Sequence, residues 1–85
     1  MKINTPVLAM TAGIVWGAAI LMVAAANLVW PDYGALFLQV VASVYPGYQP
    51  GHGVISVAAG TAFGLVDGAI AGAIFGWLYN LLARP

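Results

Sequence analysis

Two long apolar runs frame this chain, and a stretch rich in turn-forming residues separates them. The first, "PVLAMTAGIVWGAAILMVAAANLVW", covers residues 6–30 and carries no charge. The second covers residues 54–83 and is broken by one charge, Asp67. About 20 helical residues cross the ~30 Å hydrocarbon core of a bilayer, so each run predicts a transmembrane helix. At roughly 1.5 Å per residue the second would extend about 45 Å, which predicts tilt or ends that reach into the interface.

Between them runs "PDYGALFLQVVASVYPGYQPGHG". Asp32, Gln39 and Ser43 fall on one helical stripe, while Leu36, Phe37, Val40, Val41 and Val44 cover the rest. This pattern predicts a helix over residues 33–45, capped by Asp32 and stopped by Pro46. At about 20 Å it is too short to cross, and its narrow polar stripe predicts a helix lying in the interface. A re-entrant segment dipping between helices is the alternative. Residues 46–53, with Pro46, Gly47, Pro50, Gly51 and Gly53, predict a turn. The expected fold class is therefore an all-α membrane protein. A single membrane domain over residues 1–85 would form a helical hairpin of two transmembrane helices, joined by a short interfacial helix.

Composition supports the bilayer as solvent. Of 85 residues, 64% are hydrophobic and 5% charged, and mean hydropathy is +1.01. A soluble domain carries about 25% charged residues, and a chain this short cannot hide so much apolar surface in its own core. A secretory signal would use an apolar stretch of about 7–15 residues; the first run is longer, and a retained helix is expected.

The charged side chains are Lys2, Asp32, Asp67 and Arg84, which sum to zero. No basic patch exists for nucleic acid, and with no cysteine there is no thiol chemistry. Lys2 precedes the first run, Arg84 follows the second, and the connection holds neither Lys nor Arg. The positive-inside rule then places both termini in the cytoplasm. Trp30, Tyr33, Tyr45 and Tyr48 would form the outer aromatic belt, and Trp77 and Tyr79 the inner one. Trp16 falls nearer mid-span, where packing against a neighbouring helix explains it better.

The second run contains "GTAFGLVDGAIAGAIFG", with Gly60, Gly64, Gly68, Gly72 and Gly76 at every fourth position. Glycine costs a helix about 1 kcal/mol relative to alanine, but in lipid small residues let helix backbones approach closely. Gly13 and Gly17 supply a shorter matching pair. A four-residue step drifts about 40° per glycine around a 3.6-residue helix. The ridge is therefore expected to serve two neighbours, the first run and another subunit, in a homo-oligomer. A packed monomeric hairpin, in which the two helices of one chain simply meet through these glycines, is the alternative, and a hetero-oligomer also stays open.

Asp67 sits near the middle of the second run, where an acid costs about 2.5–3.5 kcal/mol on insertion scales. Neither cation of the chain can reach it. It is therefore either compensated by a bound cation, water or another subunit, or protonated and donating a hydrogen bond. Antiparallel pairing would set it level with Met22 and Val23, near Asn27, with Ser56 on its own side of the helix. Asp67, Ser56 and Asn27 are thus the candidate intramembrane polar or pore-lining group. Three roles compete for the acid: fixing oligomer register, lining a pore or holding a cation, and carrying protons as in the rotor hairpin of ATP synthases. His52, in "QPGHG", lacks the further ligands a metal site needs. No nucleophile–base pair and no phosphate loop is visible. Neither an enzyme nor a cofactor is expected; the partners expected are membrane lipid, further copies of the chain and other membrane subunits.

The run "SVYPGYQPGHG" followed by "GLVDGAIAGAIFGWLYNLL" resembles a group of small bacterial two-span proteins known as bacteriophage holin. The YPGY turn, the mid-span VDG and the closing WLYN carry that resemblance. It implies a self-assembling hairpin of the bacterial inner membrane that opens a lesion for a lytic enzyme. In that setting Tyr45, Pro46, Gly47 and Tyr48 would be the turn, and Asp67 with Gly68 the mid-span pair.

Overall fold

A computed structural model describes residues 2–84 as three helices: α1 (Thr5–Val29), α2 (Ala35–Val44) and α3 (Val54–Leu82). α1 and α3 form an antiparallel hairpin, and the molecule is a rod of 51 × 19 × 17 Å. At 25 and 29 residues, both helices are long and apolar enough to cross a membrane. The sequence placed their ends within a residue of those observed.

Local chemistry sets each end. The Asn4 side chain accepts a hydrogen bond from the Val7 N–H (3.2 Å) and caps α1, with Pro6 in the first turn. At the other end, Asn27 Nδ2 donates to the carbonyls of Pro31 (2.8 Å) and Tyr33 (2.9 Å), folding the following turn over the helix terminus.

The chain enters α2 through Gly34, whose φ of 66° is left-handed. A Cβ there would run into the Val23 side chain, so only glycine fits. Gly34, not Asp32, therefore precedes α2, and the Asp32 side chain makes no capping bond. The turn over Pro31–Tyr33 delays the helix to Ala35, and α2 is shorter than the expected 33–45.

α2 does not lie free across the end of the hairpin. Leu38 and Val41 bury one side of it, in a cluster with Ile20, Ala24, Tyr45, Tyr48 and Val57. Tyr45, its C-cap, stacks on Phe63 at 5.3 Å between ring centroids, more than two turns below the start of α3. The Tyr48 ring lies against Gly60. α2 is thus packed on the hairpin, and its apolar residues divide into a packing side and an exposed side of Leu36, Val40 and Val44. Periodicity alone cannot make that division. Tyr45 and Tyr48, expected in an aromatic belt, are instead 6% and 4% exposed, because the bare Cα of Gly60 leaves room for a ring.

The hairpin seam is the glycine ridge. All five glycines are buried, and α1 meets every one of them. A Cβ built on Gly68 would lie 2.6 Å from the Ala12 carbonyl oxygen and 2.8 Å from the Gly13 Cα. On Gly72 it would lie 2.9 Å from the Ala9 Cα, and on Gly64 3.1 Å from the Gly17 Cα. Gly76 meets Thr5, and Gly60 meets Ile20 and Tyr48. From the other side, a Cβ on Gly13 would come within 2.6 Å of the Leu65 carbonyl oxygen. The ridge therefore does not need a second subunit to cover it. A repeat longer than 3.6 residues stays on one seam when the helices coil around each other in the right-handed sense.

Candidate functional site

The register of the hairpin decides what meets Asp67. At the open end, Asn80 Oδ1 accepts from the Ile3 N–H (2.7 Å), while its Nδ2 donates to the Ile3 carbonyl (2.8 Å) and to Thr5 Oγ1 (3.2 Å). This clamp fastens the segment before α1 to the last turns of α3. With Gly76 on Thr5 and Gly68 on Gly13, Asp67 falls level with Trp16, not with Met22 and Val23. Nothing in the sequence marks a fixed contact between the two helices from which this register could be set.

Three elements converge there. Trp16 Nε1 on α1 donates to the Tyr45 hydroxyl (2.7 Å), and that hydroxyl donates to Asp67 Oδ2 on α3 (2.7 Å). Phe37 of α2 meets Trp16 edge-on at 6.0 Å, and Phe63 stacks on Tyr45. The phenol thus receives one hydrogen bond and gives one, with both rings beside it held by aromatic contacts. Burial pushes the Tyr45 hydroxyl pKa above its ordinary value; the Trp16 bond opposes this, and the bond and charge of Asp67 add to it. The hydroxyl stays a donor.

Asp67 itself is exposed on the flank of the hairpin. Among the described residues its recorded hydrogen bond uses Oδ2 alone. Beside it opens a small groove of about 120 Å³, walled by Trp16, Phe37, Tyr45 and three valines of α2, Val40, Val41 and Val44.

The other polar candidates do not join it. The Ser56 hydroxyl donates to the Gly53 carbonyl (2.8 Å) in the first turn of α3, and Asn27 is spent on the turn after α1. Trp30 and Tyr33 are exposed at one end of the rod, and Trp77 and Tyr79 towards the other. Gly13 and Gly17 belong to the seam. Lys2 and Arg84 line one open pocket with Trp77 and Asn80, so both cations share an end. His52 is exposed in the turn, and among the described residues no three metal-ligating side chains come together.

Sequence reasoning placed Trp16 at mid-span but found no partner for it, and assigned Tyr45 to a belt. The missing signal was the descent of α2, which the glycine at position 60 permits. The Tyr48 hydroxyl, buried on the same side, has no hydrogen-bond partner among the described residues, and burial raises its pKa. No protein-family model, curated protein or solved structure matches this chain.

Proposed function

We propose that this chain is a two-span protein of the bacterial inner membrane that self-assembles through the flank carrying Asp67, and that the assembly encloses a polar path as holin-like proteins do. One observation carries this reading: the acid at the middle of α3 is exposed on the flank of its hairpin, with Tyr45 its one hydrogen-bond partner among the described residues. An ionisable group within a membrane faces a protein interior or water. Among the described residues the hairpin gives it one hydrogen bond, from Tyr45, and in this reading further subunits cover the rest of its exposed surface. The pairing of Lys2 and Arg84 at one end supports an orientation with both termini in the cytoplasm.

A second reading is a non-conducting accessory subunit of a larger membrane complex. It is favoured by the glycine ridge, which α1 fully occupies, leaving no bare backbone for an identical neighbour.

The discriminating experiment reconstitutes the full chain in vesicles and measures ion flux with oligomer size. Flux that falls in Asp67→Asn while the oligomer persists supports the pore. A monodisperse monomer without flux would overturn it. A stable oligomer without flux points to the accessory subunit.

A further inference from the structure

We propose that the groove beside Asp67 binds the head of a hydrophobic quaternary ammonium cation. All the residues lining the groove belong to one chain, so the inference does not rest on the assembly proposed above.

Charge complementarity sets the sign of the ligand. Asp67 places a carboxylate at the rim of an otherwise apolar groove. The two cations of the chain gather at the far end of the rod, and Arg84 lies about 25 Å along the helix from Asp67. Tyr45 donates to one carboxylate oxygen, which fixes the direction of the group and leaves the other oxygen towards the groove's rim.

The walls set the class. A divalent metal ion would require about six oxygen ligands, and the groove offers one carboxylate. Its other walls are the rings of Trp16, Phe37 and Tyr45 and the methyls of Val40 and Val44. A methylated ammonium carries diffuse charge, surrenders little hydration and is attracted to aromatic rings within about 6 Å. Lys-like ammonium heads, which need hydrogen-bond acceptors, would be poorly satisfied.

The dimensions set the shape. The groove, about 120 Å³, is smaller than the ~150 Å³ cavity that admits benzene. It suits a compact head rather than a fused ring system. Two of its lining residues, Val40 and Val44, are exposed, and an attached alkyl or benzyl group can lie along them.

The test uses the full chain in maltoside micelles, whose head groups are uncharged, with benzyltrimethylammonium as probe in equilibrium dialysis. Saturable binding at one probe per chain is expected. Asp67→Asn, whose amide oxygen can still accept from Tyr45, should weaken it at least about tenfold. Asp67→Glu should restore part of it, and Trp16→Phe should weaken it about two- to fivefold. In the unaltered chain, tetramethylammonium should displace the probe and uncharged neopentanol should not, an arm that stands even where a variant misfolds. Equal displacement by both, equal affinity in Asp67→Asn, or the absence of saturable binding overturns the proposal.

Discussion

The Tyr45 hydroxyl and Asp67 Oδ2 lie 2.7 Å apart, although one residue ends α2 and the other lies midway along α3. That bond ties the connecting segment to the hairpin well below the turn. Removing it leaves Trp16 Nε1 without an acceptor, so Tyr45→Phe strikes two hydrogen bonds together. We expect a loss of about 1–3 kcal/mol, read as a lower midpoint in denaturant titration in detergent. Amide exchange should rise through α2 while the centre of α1 keeps its protection.

Alkaline pH tests the same bond differently. The raised Tyr45 pKa means that the unfolded chain releases this proton first, near the ordinary value of 10.0. The associated stability is whole below that pH and is lost as pH climbs through the folded value. The unaltered protein should weaken more steeply above pH 10.0 than Tyr45→Phe. Parallel profiles would assign the effect to Tyr48, whose pKa is also raised by burial.

The seam makes an asymmetric prediction along α3. Gly68→Ala puts a methyl against the α1 backbone at Ala12 and Gly13, where neither atom can swing aside. Overpacking of that kind costs about 1–3 kcal/mol, seen as a lowered unfolding midpoint of the hairpin. Ala71→Ser, on the exposed flank, should stay within about 0.5 kcal/mol.

Asn80→Ala should free the segment before α1. Three hydrogen bonds are lost at once, and we expect the Ile3 amide to exchange at least about tenfold faster, equivalent to ~1.4 kcal/mol. Unchanged exchange at Ile3 would show that the glycine seam alone holds that end.

The helices were legible because the apolar runs are long and interrupted by a single charge, and the turn formers between them are dense. The seam was legible as a seam but not as a closed one. Spacing reveals that Gly60 to Gly76 approach a backbone, but the spacing is the same whether that backbone belongs to the same chain or to a neighbour. Asp67 stood out as a lone charge in an apolar run. Its partners did not, because Tyr45 is distant in sequence and reaches it only through the left-handed step at Gly34 and the space over Gly60. A clamp such as Asn80 to Ile3 is similarly invisible: one asparagine near a helix end carries no mark of what it will hold.

Because α1 and α3 spend their bare Cα positions on each other, whatever approaches from outside meets full-sized side chains. The exterior is thereby decoupled from the architecture. Substitutions there can change what the exterior contacts while the inner zipper keeps the shape, which makes the flank, and not the glycines, the part of this molecule free to specialise.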